Sequence, residues 1–181
     1  MFNVAERISA LRKAHDLSQR ALAEAAGISA AALSQIESGQ ASPSVATLEK
    51  LADGLNLGIS AFFLDPSPDD AVEIIQLTDR PAINLHGQST LFPLGAHHQQ
   101  IGFEPILVQL QPGGEFDHDL YGIRSKHAYA WVRRGNAIFS FHDKQYAVSE
   151  THSVYYDPSQ PHNWHNNSDS LCELLIVRSH A

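Results

Sequence analysis

A chain of 181 residues, 43% of them hydrophobic, is long enough to bury the core of one large or two small globular domains. Its formal net charge of −8 argues against non-specific binding to a polyanion, and its single cysteine, Cys172, excludes an internal disulfide and disfavours a thiolate metal cluster. No apolar run is long enough to cross a membrane and the first residues lack the pattern of an export signal, so we expect a cytoplasmic protein without a membrane partner.

The first third of the chain carries a helical pattern. Apolar residues recur at helical spacing from Val4 to Leu64. Serines stand where helix N-caps are expected, and glycines stand where the chain must turn. The pattern predicts an all-α domain of five helices. They lie near residues 3–15, 18–26, 29–38, 44–56 and 59–64.

The rest of the chain follows a different pattern. The stretch DPSPDDA, residues 65–71, combines two prolines with three acids, which is typical of a short solvated connector. Beyond it, short β-branched, aromatic and aliphatic runs such as EPILVQL and ELLIVRS alternate with turn signals such as QPGG. These runs predict an antiparallel barrel or sandwich. We therefore expect an all-α domain over 1–64, a linker over 65–71 and an all-β domain over 72–181.

Two of the predicted helices, 18–26 and 29–38, are joined by AGIS, the spacing of a helix-turn-helix. An ordinary helical hairpin has the same spacing, so the composition of the second helix must distinguish a hairpin from a helix-turn-helix. A free surface helix normally displays charge, but the outer face of this one carries small and hydrogen-bonding side chains that suit the major groove of DNA. Gln35 could pair with adenine, and the alanine methyl groups could contact thymine methyl groups.

The stretch LRKAHDLSQRALAEAAGISAAALSQIESGQASPSVATLEKLADGLNLGISAFF resembles the DNA-binding domain of the XRE, or phage-repressor, family. The resemblance implies that Gln19 holds a phosphate and supports the recognition helix, and that Arg12 pairs with Glu37. Because one such domain makes few contacts, we expect a homodimer on a palindromic operator of double-stranded DNA. The predicted DNA-binding residues are Gln19, Arg20, Ser29, Ala30, Ala31, Ser34, Gln35 and Ser38.

Residues 101–178 resemble a small cupin, a double-stranded β-helix or jelly-roll barrel that often follows this DNA-binding domain in bacterial regulators. The matching pieces are QPGGEF, AWVRRGNAIFSF, YYDPSQPHNWHNN and CELLIVRS. The resemblance implies a domain that dimerises and senses a small-molecule effector.

Metal-binding cupins place two histidines and a glutamate before a glycine, and a third histidine in a later turn. Here the glutamate position falls on Ala128, and His162 alone is kept, so we expect no metal cofactor. A site for Zn, Ni or Fe could still be rebuilt if His118, His127 and His162 converged. Strand alternation argues against this, because it turns His127 to the outer face together with Tyr129 and Trp131.

The alanine at position 128 removes a charge and volume from the barrel, which leaves room for an organic ligand. Arg124 or His162 could fix an anionic or polar group of that ligand. Each aromatic residue near this space could instead be ordinary core packing. The residues expected to wall the pocket are Tyr121, Arg124, Phe139, Phe141, Tyr155, His162 and Trp164.

The sequence thus predicts a transcriptional regulator and not an enzyme. In the predicted mechanism, a ligand in the barrel changes the placement of the two DNA-binding domains through the linker. The alternative is a metalloenzyme, because a minority of proteins with this layout use the cupin as an iron-dependent oxygenase or epoxidase. That chemistry needs two histidines and a carboxylate on the iron. A partner-binding module of the antitoxin type is a third possibility, although such modules rarely carry a barrel.

Overall fold

The computed structural model describes residues 4–63, 74, 76, 81–95 and 102–179. The predicted linker over 65–71 lies outside these residues, and the domain boundaries therefore stay a prediction. None of the described helices is long and apolar enough to cross a membrane.

The N-terminal domain is a bundle of short helices whose starts are fixed by serine caps. The hydroxyls of Ser18, Ser29 and Ser44 each accept a hydrogen bond from the backbone N–H three residues later. This pattern confirms the predicted starts of three helices. The α-helices are α1 (Val4–Ala14), α2 (Gln19–Ala25), α3 (Ala30–Glu37) and α4 (Val45–Leu55).

The prediction of a fifth α-helix over 59–64 is wrong. The described residues hold four α-helices, and the fifth segment is a 3-10 helix of four residues, Ile59–Phe62. So short a segment cannot repay the cost of nucleating an α-helix. Its first N–H groups are bound instead by Glu104, a side chain of the other domain.

The C-terminal domain consists of two antiparallel sheets, as the strand pattern predicts. One sheet has the order β1-β2-β3-β9-β4-β7 and the other has the order β6-β5-β8. The strands are β1 (Ile83–Leu85), β2 (Ser89–Pro93), β3 (Phe103–Leu110), β4 (Ala128–Arg134), β5 (Asn136–Phe141), β6 (Lys144–Ser149), β7 (Ser153–Tyr156), β8 (His162–His165) and β9 (Cys172–Ser179).

Strand β4 shows the alternation that the sequence predicts. Ala128 and Ala130 are buried between the sheets, whereas Tyr129 and Trp131 lie on the outer face with 40% and 38% of their surface exposed. His127, just before the strand, is exposed as well. The inner face of this strand is therefore lined by small side chains.

Beside these small side chains lies a cluster of aromatic rings from both sheets, with Phe139 and Trp164 on the three-stranded sheet and Tyr156 on the six-stranded one. The ring of Phe139 lies 4.5 Å from Trp164 and 4.8 Å from Tyr156, centroid to centroid. His162 packs on the same cluster, 5.0 Å from Tyr156. Aromatic contacts of this kind stabilise a core beyond the area they bury, and they occupy the centre of the barrel.

Candidate functional site

The outer face of α3 is free to meet another molecule. Leu33 and Ile36 anchor the helix in the core of the domain, and the opposite side is exposed. Within that side, the Ser29 hydroxyl is used as the cap and the Ser38 hydroxyl donates to the Gln35 carbonyl at 3.1 Å. The exposed residues of this side are Ser29, Ala30, Ala31, Ser34, Gln35 and Ser38.

A bidentate ion pair fixes the end of α3 against α1. The Arg12 guanidinium donates to both carboxylate oxygens of Glu37, at 2.7 and 2.9 Å, and its third nitrogen donates to the Leu17 carbonyl. The predicted Arg12–Glu37 pair is confirmed. Burial raises the pKa of the Glu37 carboxyl, but the bonds from Arg12 and Gln19 outweigh it and hold that pKa below its ordinary value.

Gln19 joins α2 to the same carboxylate, because its side-chain amide donates to Glu37 at 2.9 Å. The residue is half-buried, and its neighbour Arg20 is exposed. Gln19 therefore supports α3 directly, while its contact with a phosphate stays a prediction. Three helices meet at Glu37, so the orientation of α3 is set by α1 and α2 together.

A groove of about 590 Å³ opens in the β domain between the β5–β6 hairpin and β7. Strands β6 and β7 are the edge strands of the two sheets, so the sandwich is open along this side. Asp157 is the acidic side chain among the lining residues. The aromatic lining residues are Phe139, Phe141, Tyr146, Tyr155 and Tyr156.

This groove contains three of the seven residues predicted to wall a pocket, namely Phe139, Phe141 and Tyr155. His162 and Trp164 are buried in the aromatic core, with 1% and 0% of their surface exposed. The rings that a ligand was expected to touch therefore pack on one another.

The other two predicted wall residues, Tyr121 and Arg124, lie where the two domains meet. Arg124 is exposed; its guanidinium donates to the Ala25 carbonyl at 3.2 Å and its backbone N–H donates to the Asp53 carboxylate. This placement corrects the expectation that Arg124 fixes an anionic group inside the barrel, because its charge is directed at the N-terminal domain.

Sequence reasoning missed Tyr146, Tyr156 and Asp157 as lining residues. Alternation along SVYYD places Tyr156 on the inner face, so this signal was available. Tyr146 could not be found in the same way, since it lines the groove only because β6 lies at the edge of its sheet.

The histidines considered as metal ligands do not converge. The His118 side chain is 90% exposed and lies 3.6 Å from Glu115, and His127 lies beside the Tyr155 hydroxyl at 3.1 Å. His162 is enclosed by aromatic rings, and its Nδ1 is 2.9 Å from the Gln160 carbonyl oxygen. Among the described residues, no three His, Cys, Asp or Glu side chains are grouped to hold a metal ion. The side chains within residues 4–63, 81–95 and 102–179 therefore do not form the ligand set of a metal-binding cupin.

A buried ionic cluster joins the two domains. Arg178 of β9 lies between Glu49 of α4, at 2.6 Å, and Glu104 of β3, at 3.2 Å. All three side chains are buried. The contact from Arg178 Nη1 to Glu49 is an ion pair without the alignment of a hydrogen bond. Removing one partner of such a cluster leaves an uncompensated buried charge, which is strongly destabilising.

Glu104 also binds the start of the 3-10 helix. Its carboxylate accepts hydrogen bonds from the backbone N–H groups of Ile59 at 2.9 Å and Ser60 at 2.6 Å. Burial raises the pKa of Glu104, but Arg178 and these donors outweigh burial and hold the pKa below its ordinary value. The carboxylate of the β domain therefore serves as a cap for the α domain.

Further contacts surround this cluster. The Tyr121 hydroxyl donates to the second oxygen of Glu49 at 2.7 Å. The ammonium of Lys50 lies 5.5 Å from the centre of the Tyr121 ring and 3.8 Å from the Asp117 carboxylate. Helix α4 thus contacts the β domain through at least two of its side chains, on the side turned away from the domain core.

Comparisons with known proteins point to both domains. A model of the helix-turn-helix family, HTH_3, matches residues 8–62. The chain is 29% identical to the HTH-type transcriptional regulator PuuR of Escherichia coli K12, over 96% of this chain and 93% of that protein. It shares its fold with an HTH_3 family transcriptional regulator from Vibrio cholerae, at a TM-score of 0.75 and 23% identity, over 99% of this chain and 96% of that one. A crystal structure of FeII HppE, hydroxypropylphosphonic acid epoxidase, also matches in fold, at a TM-score of 0.52 and 18% identity over 98% of each chain.

Proposed function

We propose that this chain is an XRE-type helix-turn-helix regulator with a cupin domain, and the helix-turn-helix match over residues 8–62 and the similarity to PuuR support this. It is a homodimer that places α3 in the major groove of a palindromic operator and binds a small-molecule effector in its β domain. The observation that carries DNA binding is the exposed, uncharged face of α3 on a helix fixed by Arg12, Gln19 and Glu37. Short polar side chains on a fixed helix suit direct contact with base edges.

The test of DNA binding is selection of sites from random duplexes by the purified full chain. We expect an enriched palindrome whose half-sites lie one helical turn apart, about 34 Å. Equal recovery of all sequences, with binding lost at raised salt, would indicate phosphate contacts without base contacts. Failure to enrich any sequence at low salt would overturn the proposal that the chain is a DNA-binding regulator.

The second copy of the chain is proposed to bind the outer face of the six-stranded sheet. Apolar side chains on neighbouring strands are aligned there by the register, with Leu107 opposite Leu175 and Leu175 opposite Trp131. Trp131 is 38% exposed in one chain. A continuous apolar face of this kind is typical of a protein interface, and a self-complementary one gives the two-fold symmetry that a palindrome requires.

Light scattering at several concentrations tests this interface. We expect the wild type to be a dimer and Trp131→Glu to be a monomer that retains its circular dichroism spectrum. Leu120→Glu is the matched control, since Leu120 is also exposed (41%) but lies outside the strands. A Trp131→Glu variant that stays dimeric would place the interface elsewhere.

The proposed effector site is the groove between the β5–β6 hairpin and β7. Its volume of about 590 Å³ lies within the range of small-molecule sites, roughly 300–1,000 Å³. Aromatic walls with a single acidic group are suited to a ligand that is mostly apolar. A thermal-shift screen of metabolites against wild type and Val154→Trp tests this, because Val154 lines the groove opposite the buried Ala130, and the larger ring should fill the groove and abolish the shift of a true ligand.

The metalloenzyme alternative rests on the fold shared with HppE. The side chains argue against it, because Ala128 stands at the glutamate position and His118, His127 and His162 are far from forming a shared centre. Metal analysis of protein purified without chelator decides between the two. Stoichiometric iron removed by His162→Ala would favour the enzyme.

A further inference from the structure

Tyr121 lies between the effector groove and the DNA-binding domain. On one side its ring stacks on His162, with a centroid distance of 4.6 Å. On the other side its hydroxyl donates to Glu49 of α4 at 2.7 Å. Its side chain is buried, with 4% of the residue exposed. One side chain therefore contacts the core of one domain and a helix of the other.

His162 connects Tyr121 to the walls of the groove. Its ring lies 5.0 Å from Tyr156 and 6.4 Å from Phe139, centroid to centroid. Both of these residues line the groove. Close-packed aromatic rings leave no void to absorb a displacement, so movement of either wall residue must move His162.

The backbone couples His162 to Tyr121 as well. The N–H of each residue donates to the carbonyl of the other, at 2.9 and 3.0 Å, in an isolated antiparallel bridge. Ring stacking and two backbone bonds thus join the same pair. Tyr121 and His162 are expected to move as one unit.

Helix α4 transmits movement into the DNA-binding domain because it is packed tightly against α2. A Cβ placed on Gly54 of α4 would lie 3.1 Å from the Leu22 side chain and 3.2 Å from the Ala26 backbone. Helix α2 in turn holds Glu37 of α3 through Gln19. A change at Glu49 therefore has a path of direct contacts to α3.

We propose, resting on the effector groove assigned above, that Tyr121 transmits occupancy of the groove to the DNA-binding domain. A ligand that displaces Phe139 or Tyr156 shifts the His162–Tyr121 pair and breaks the hydrogen bond from Tyr121 to Glu49, which loosens α4. Arg178 keeps its contact with Glu49 throughout, so the domain stays attached while its orientation changes.

A reversible covalent probe in the groove tests this without knowledge of the natural ligand. Val154 lines the groove, is half-buried and lies opposite the buried Ala130, on the inner face of its sheet, so Val154→Cys labelled with benzyl methanethiosulfonate fills the groove until dithiothreitol releases it. The native Cys172 is buried, and burial raises its thiol pKa to about 12, so the label is confined to the introduced cysteine. Hydrogen exchange of residues 44–57, which contain α4, is the readout.

We expect labelling of Val154→Cys to speed exchange in α4 about tenfold, the effect of losing one buried hydrogen bond to a charged group, and reduction to reverse it. In Val154→Cys/Tyr121→Phe, exchange should be fast before labelling and should not change afterwards. Tyr156→Phe is the matched control, since it also removes a buried tyrosine hydroxyl, one that lies 3.4 Å from Trp164. It should respond like the parent.

Asn167→Cys, in the exposed turn before β9, controls for the label itself and should leave α4 unchanged. Unaltered exchange in labelled Val154→Cys overturns the proposal, and so does a full response in the Tyr121→Phe background. Both results are separable from failure of the proposed function. Site selection with unlabelled protein tests DNA binding alone, so an enriched operator together with an unresponsive α4 rejects only the role of Tyr121.

Discussion

Helices α3 and α4 belong to the same small domain but differ in what surrounds them. The outer face of α3 is exposed and uncharged, and Glu37 anchors the helix to α1 and α2 through Arg12 and Gln19. In α4, seven of the eleven residues are buried, including the acidic Glu49. The proposed DNA-contacting surface is thus kept apart from the contacts that fix the domain to the barrel. Substitutions on the exposed face of α3 should therefore leave the attachment of the domain to the barrel intact.

The largest expected effect is on stability, and it comes from the buried ionic cluster that α4 shares with the barrel. Arg178→Met removes the partner of Glu49 and Glu104 and leaves two buried carboxylates uncompensated, so we expect the free energy of unfolding to fall by about 3–5 kcal/mol. Urea denaturation measures it. Arg133→Ala is the control, because its ion pair with Glu173 at 3.0 Å is half exposed on the arginine side and should contribute less than about 1 kcal/mol. Equal losses of unfolding free energy in the two variants would mean that the buried cluster stabilises the protein no more than a half-exposed ion pair does.

The pH dependence of stability should come from the same cluster. The folded-state pKa of Glu104 is held below its ordinary value, so its contribution is fully present above the ordinary range near pH 4.3. It is lost as pH falls through the lower, folded-state value. Glu104→Gln should therefore lower stability at neutral pH by about 1.5–3 kcal/mol and flatten the decline in acid. If Glu104→Gln loses stability in acid as the wild type does, the decline must come from other carboxylates, of which Glu37 is the first candidate.

At the exposed end, Gln35→Ala should relax sequence preference at one or two base pairs, at a cost of roughly 1–3 kcal/mol in operator affinity, without changing stability. Gln19→Ala should instead weaken binding to all sequences alike, because Gln19 supports α3 through Glu37. Gln111→Ala, an exposed glutamine of the barrel, is the control. Site selection by each variant measures these effects, and an unchanged preference in Gln35→Ala would mean that α3 is not the recognition helix.

The smallest effect is expected for the caps. Ser29→Ala removes the single side-chain cap of α3 and should destabilise the domain by about 1 kcal/mol. Ser44→Ala should cost more, since the buried Ser44 hydroxyl also lies 2.9 Å from the Thr47 hydroxyl, at the start of the helix that meets the barrel. Thermal denaturation of the two variants compares them directly. A larger loss of thermal stability in Ser29→Ala than in Ser44→Ala would contradict this expectation.

Most of the fold could be predicted from local patterns in the sequence. The caps at Ser18, Ser29 and Ser44 and the alternation along β4 depend on neighbours within a few residues, and both were predictable from the sequence. The Arg12–Glu37 pair followed from the family resemblance.

The cluster between the domains could not be predicted in the same way. Glu104 and Ile59 are 45 positions apart, and Tyr121 and Glu49 are 72 apart. No periodicity in the chain marks such pairs. Glu104, at the start of a strand, also reads as an ordinary surface acid until the position of the 3-10 helix is known.

The effector groove was predicted in part for a related reason. Alternation finds which residues face inward, and it identified Phe139 and Phe141. It does not tell whether an inward ring borders an opening or packs against another ring, which separates these residues from His162 and Trp164. That distinction depends on where each sheet ends.

The carboxylate of Glu104 at the start of the 3-10 helix has a consequence for engineering. Gly58, the residue before that helix, supplies no side-chain cap, so the α domain depends on its neighbour for the order of its last turn. A chimera that transplants residues 1–64 onto a different sensor should therefore fray at Ile59–Phe62 and lose the packing of Phe62 in the process. An acidic residue placed on the new sensor at the position of Glu104 should restore the order of this turn. The α domain can therefore be moved to another sensor only together with the carboxylate that caps its last turn.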